Sequence, residues 1–229
     1  MTDLPPILFL HGLVTSSQRT WGDNGWFDLV REANRELLAV DLPGHGTQYH
    51  PSGDFDGNIL NAVESQITHD LVDAITFSLG ARIVLALAVR HPSRFRKIVV
   101  SGVGDSLFSP DHERGHRIFQ AIAGEPVTDD PESQYFAQLA DSPDVNRRLI
   151  SQYMSKQNTI LTANQLNGIS TPVLVVLGEN DFSGPATELL DALPNAELVT
   201  LKGVDHFATP KNFKFIDNAL AFLDAVPSW

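Results

Sequence analysis

"VDAITFSLGARIVLALAVRHP" (residues 72–92) joins an apolar run to a helix-like run through a single serine. The first run ends near Ile75, and residues 81–90 then space their apolar side chains as a helix does. Ser78 lies in the turn between them, with Gly80 two positions later. That is most of G-x-S-x-G, a strained strand-to-helix turn that exposes a nucleophilic serine. Thr76 stands where the first glycine belongs. Strand and helix nearly collide at the positions two before and two after the serine, so little side chain fits there. Threonine is modest in size, and its β-branch suits extended chain. The turn therefore predicts Ser78 at positive φ despite Thr76. The plainer alternative is a small residue in an ordinary strand–helix turn.

The rest of the chain repeats the rhythm. Short apolar runs read as buried strands at "ILFL" (7–10), "LLAV" (37–40), "LVDAI" (71–75), "KIVV" (97–100), "VLVVL" (173–177) and "ELVTL" (197–201). Most are nearly continuous in Val, Ile and Leu, as strands covered on both faces should be. Helix-like segments fall at 26–33, 59–69, 81–90 and 186–192, and residues 212–226 close the sequence as a helix. Strand alternating with helix predicts a parallel sheet between helical layers. Residues 105–170 break the pattern, with three helical patches (112–123, 132–140, 144–157) punctuated by Pro110, Pro126, Pro131 and Pro143. This reads as a cap inserted into one domain spanning residues 1–229.

Composition narrows the function. Lys and Arg number 16 against 28 Asp and Glu, a net charge of −12, which argues against nucleic acid and anionic membrane surfaces as partners. With no cysteine, disulfides, thiolate nucleophiles and Cys-based metal sites are excluded. "MTDLPPILFLHG" lacks a basic region and a signal-length apolar run, and no segment approaches the ~20 apolar residues of a membrane span. The expectation is a soluble, cytoplasmic protein. "HERGH" (112–116) matches the zinc pattern H-E-x-x-H. It carries a helix-weakening glycine and lies in the cap, so no metal and no cofactor is expected.

Ligands of open α/β sheets bind beyond the carboxyl ends of the strands. There the sequence places "HGLVTSSQRTW" (11–21), "DLPGHG" (41–46), the serine turn, "SGVGDS" (101–106), "GENDFSGP" (178–185) and "KGVDHFATP" (202–210). On "HG", "DLPGHG", the serine turn, "GENDF" and "GVDHF", in this order, the sequence resembles the α/β-hydrolase superfamily over nearly its whole length. It is most similar in outline to small serine esterases and lactonases. The resemblance implies an α/β-hydrolase fold: a mostly parallel sheet of about six strands in the order 2-1-3-4-5-6, flanked by helices. A small helical cap belongs to it, with the N-terminal hairpin reduced or absent. "LLAV" would form an edge, compatible with a monomer or with a homodimer paired through it.

The resemblance also implies roles, in the chain order Ser, Asp, His. Ser78 is the expected nucleophile and His206 the base that takes its proton and returns it to the leaving group. A buried carboxylate should orient the imidazole. Asp181, after the fifth run where most members place it, is the expected residue; Asp105, after the fourth, where some carry theirs, is the alternative. Backbone N–H groups of Leu79 and Leu13 are the expected oxyanion donors. His11 and His45 fall in loop-shaping motifs. Trp21, Trp26, Phe27, Phe108, Phe136, Met154, Phe182 and Phe207 are candidates to line an apolar pocket, with Phe207, beside His206, the substrate-binding candidate. The expected activity is cleavage of a small-molecule carboxylic ester, lactone or thioester through an acyl-enzyme on Ser78. The rivals are carbon–carbon hydrolysis, perhydrolysis or acyl transfer by the same residues, or ligand sensing with little turnover.

Overall fold

The computed structural model describes residues 4–49, 57–127, 129–154 and 161–227. Six strands form one parallel sheet: β1 (Ile7–Leu10), β2 (Leu37–Val40), β3 (Val72–Phe77), β4 (Phe95–Ser101), β5 (Val173–Gly178) and β6 (Ala196–Leu201). Their spatial order is β2-β1-β3-β4-β5-β6, as the resemblance implies, with β2 at one edge. The chain is an α/β-hydrolase fold. β1, β3 and β5 are buried at every position, whereas the edge strands β2 and β6 are mostly part-exposed or exposed. Buried strands run longer than the apolar patches suggest, because Thr76, Phe77 and Ser101 also pair in the sheet.

The helices are α1 (Ser17–Thr20), α2 (Trp26–Glu32), α3 (Ile59–Glu64), α4 (Leu79–Arg90), α5 (His112–Ala123), α6 (Pro131–Ala140), α7 (Arg147–Met154), α8 (Ala163–Leu166), α9 (Thr187–Ala192) and α10 (Phe213–Phe222), all but α1 and α8 falling in expected segments. α3 stops five residues short of the expected segment, and α10 ends before Leu223. Residues 155–157 of the third cap patch, and His50, lie outside the described residues. Short α1 and α8 were not anticipated. The period-two alternation of the strands divides the core. Leu8, Leu10, Ala74, Ile98, Val100 and Val175 face α3, α4, α8, α9 and the α5–α7 insertion. Ile7, Phe9, Ile75, Phe77, Val99 and Val176 face α2 and α10.

At the amino end of the sheet, buried Asp73 in β3 accepts from Arg35 (2.6 Å) and from Arg96 (2.6 and 2.9 Å). Both arginines also donate to the Leu223 carbonyl just past α10 (2.7 and 2.9 Å). Among the described residues no helix is long and apolar enough to cross a membrane.

Candidate active site

Everything near Ser78 follows from how tightly β3 turns into α4. Ser78 has φ 54° and ψ −112°, the strained conformation expected for it. Its N–H donates to Ser101 O at the end of β4 (2.8 Å). A Cβ on Gly80 would come within 2.6 Å of the carbonyl oxygens of Leu10 and His11, so only glycine lets α4 start this close to β1. Thr76 meets no such obstacle: its hydroxyl is buried and donates to Val99 O (2.8 Å), an acceptor in the neighbouring strand.

His206, from the loop after β6, reaches Ser78 Oγ through Nε2 at 3.0 Å. Its Nδ1 donates to both oxygens of Asp181, at 3.0 and 2.9 Å. Asp181 Oδ1 also accepts from the Ser183 N–H (2.9 Å) and hydroxyl (2.6 Å). Burial raises this carboxyl; the hydrogen bond from and charge of His206, with the Ser183 bonds, outweigh that and hold it below the usual carboxylate range. The imidazole lies between Phe182 (ring centroids 4.1 Å apart) and Phe77 (4.7 Å). Gly102, at φ 63°, makes room for it, since a Cβ there would stand 2.9 Å from His206 Cε1. Asp105 does not join this contact: its Oδ1 accepts from the Leu189 N–H in α9 (3.1 Å).

Two buried histidines fix the loop that carries Leu13. His11 Nε2 accepts from the Leu42 N–H and His45 Nε2 from the Val14 N–H, each at 3.0 Å. Each Nδ1 therefore carries the proton and donates to a carbonyl, of Gly12 (2.7 Å) and Pro43 (3.0 Å). Burial pushes His11 down to about 4 and His45 down to about 3. Asp41 ties the same loops, accepting from the Ser17 N–H (2.7 Å) and from the N–H and hydroxyl of Thr47 (each 2.8 Å).

Ser78, Leu13, Leu79, His206 and Phe207 line one cavity of about 690 Å³. Phe136, Met154 and Phe182 line it too, while Trp21, Trp26 and Phe27 do not. Those three belong to the core on the opposite face of the sheet, against Phe9 and Phe215. Phe108 is likewise a packing residue, set against the core under the insertion. Helices α5 and α6 form the upper wall, with Ile118, Tyr135 and Leu139. "HERGH" opens α5 with both histidines exposed, and no group of three metal-binding side chains occurs among the described residues.

The sequence model of the alpha/beta hydrolase family matches residues 7–214. The chain belongs to that family. Relatives of this α/β hydrolase include a 2-hydroxy-6-oxononadienedioate/2-hydroxy-6-oxononatrienedioate hydrolase of Klebsiella pneumoniae, 26% identical in an alignment of length 223 that covers 82% of this chain and 77% of that one. Among solved structures, Rv0554 of Mycobacterium tuberculosis superposes with TM-score 0.73 at 17% identity, over 98% of this chain and 92% of that one. Carboxylesterase CesB of Bacillus subtilis superposes with TM-score 0.68 at 19% identity, over 97% and 85%. Within the α/β-hydrolase site, the sequence did not single out Ser183, Gly102 or Phe77. Gly102 and Ser183 sit in loops already quoted, "SGVGDS" and "GENDFSGP", but no spacing rule distinguishes them there.

Proposed function

We propose that this α/β hydrolase cleaves a carboxylic ester, lactone or thioester through an acyl-enzyme on Ser78. One observation carries the reading: the unbroken contact from Ser78 Oγ through His206 to buried Asp181, on the floor of a cavity large enough for a small molecule. As Ser78 Oγ bonds to the carbonyl carbon, its proton passes to His206 Nε2. Collapse of the tetrahedral adduct breaks the bond to the leaving group, which takes that proton. Water then attacks the acyl carbon, giving its proton to His206, and Ser78 Oγ leaves reprotonated. The sum is ester plus water to acid plus alcohol. Leu79 is the first residue of α4, where N–H groups have no intrahelical acceptor, and its N–H with that of Leu13 is assigned to the oxyanion.

A second reading keeps these residues and changes the bond. The Klebsiella pneumoniae relative is named for hydrolysis of a 2-hydroxy-6-oxo dienedioate, which supports carbon–carbon cleavage. Both are tested together. An active-site phosphonate should label the wild type and not Ser78→Ala, and Ser78→Ala should lose at least about a thousandfold in turnover. A panel of esters, lactones, thioesters and a 2-hydroxy-6-oxodienoate then identifies the bond. Undiminished labelling or turnover in Ser78→Ala would overturn both readings.

A further inference from the structure

The protein as a whole is strongly acidic, yet its cavity is lined by Arg19, Arg82, Arg114 and Lys211 against one carboxylate, Asp111. Two of these cations are already matched. Arg19 pairs with Asp144 (3.1 Å) and donates to Ser142 Oγ and Val14 O. Arg114 makes a two-pronged bond to Glu132 (2.8 and 2.5 Å) and lies over the Phe182 ring at 3.5 Å. Asp111 spends Oδ1 on the Arg114 N–H, capping α5.

Arg82 is different. It sits one turn of α4 beyond Ser78, its N–H bonded to Ser78 O, and its half-buried side chain faces the same cavity. Its guanidinium reaches only Ser106 O and Ser106 Oγ, both at a long 3.4 Å, and no carboxylate pairs with it among the described residues. Burial, then the neighbouring Arg114 charge, hold it below the ordinary guanidinium value. A half-buried arginine with two weak acceptors and a like charge nearby is electrostatically unsatisfied, and guanidinium matches carboxylate in a planar two-bond geometry.

We infer that Arg82 binds a carboxylate on the substrate, so the preferred acyl compound carries an anionic group as well as the scissile carbonyl. This deepens the hydrolase reading above and rests on it. Half-esters of dicarboxylic acids have this form. Lys211 adds long-range attraction, and the aromatic and aliphatic wall accommodates the chain between the two ends.

The test is a ratio: kcat/KM for the 4-nitrophenyl half-ester of glutaric acid over that for 4-nitrophenyl pentanoate. In the wild type the ratio should exceed one. Arg82→Gln should lower it about 10- to 100-fold, chiefly through KM, the size of a lost charged hydrogen-bond pair. Arg82→Lys, which keeps charge and stem, should recover part of it. A wild-type preference for the neutral ester, or an unchanged ratio in both variants, would overturn the inference. Calorimetry of glutarate binding to Ser78→Ala, with and without Arg82→Gln, gives a readout independent of turnover. Binding lost with Arg82 supports the subsite even if Ser78 proves not to be the nucleophile, and binding indifferent to Arg82 overturns it even if Ser78 does.

Discussion

Asp105 and Asp181 follow neighbouring strands but touch different partners. Asp181 faces His206 Nδ1 with both oxygens, whereas Asp105 accepts from a main-chain N–H of α9. On the proposed mechanism Asp181→Asn should lower kcat by about a thousandfold or more, because an amide no longer stabilises the imidazolium or its tautomer. Asp105→Asn keeps an acceptor for Leu189 and should stay within a few-fold of wild type. Steady-state kinetics on one ester checks both, and equal tolerance at the two positions would remove the carboxylate from the mechanism. Only the resemblance favoured Asp181 in the sequence, because nothing local distinguishes a loop carboxylate aimed at a histidine from one aimed at a helix. Ser78 was legible for the opposite reason: the close approach of α4 to β1 requires a glycine, and Gly80 stands two residues away.

At the scale of elements, the loops after β1 and β2 are held together by neutral His11 and His45. Each needs an unprotonated Nε2 to accept a main-chain N–H. Both are depressed in the folded chain, to about 4 and about 3, from 6.5. Between those values and 6.5 the unfolded chain binds protons that the folded chain refuses. Stability from these two groups is therefore complete above about pH 6.5 and lost as pH falls toward 4 for His11 and 3 for His45. The loss is on the order of 3 kcal/mol for His11 over its window. Urea melts at pH 7 and pH 4.5 should show it, with a smaller difference in His45→Gln, whose amide oxygen still accepts from Val14. A pH-independent midpoint would show that the imidazoles are not held neutral. "DLPGHG" marked the second loop in the sequence, but its pairing with "HG" depends on β2 lying beside β1. The short helix α8 does carry a local signal, since Thr162 and Gln165 form a reciprocal cap of the T-x-x-Q type.

Across the whole molecule, the site and the Asp73 cluster occupy opposite ends of the sheet. Asp73 and Ser78 are five residues apart on one extended run, roughly 17 Å. Asp73→Ala would leave nearly buried Arg35 without its carboxylate, Arg96 keeping Asp224, and should cost about 3–5 kcal/mol while sparing turnover in the protein that remains folded. Paired melting and kinetics check this; loss of kcat without loss of stability would contradict the separation. The strands and their helical layers were readable from the apolar runs because burial on both faces leaves a continuous signature; the strand order came only from the resemblance. The charged lining of the cavity was not, because residues 19, 82, 114 and 211 meet only after folding. The buried indoles behind the site have a further use. Trp21 and Trp26 stack edge to face at 5.3 Å, and Trp26 Nε1 donates to Pro210 O, four residues past His206. The polypeptide thus carries its own optical reporter: emission from these two rings senses whether the histidine loop is docked, with no dye attached.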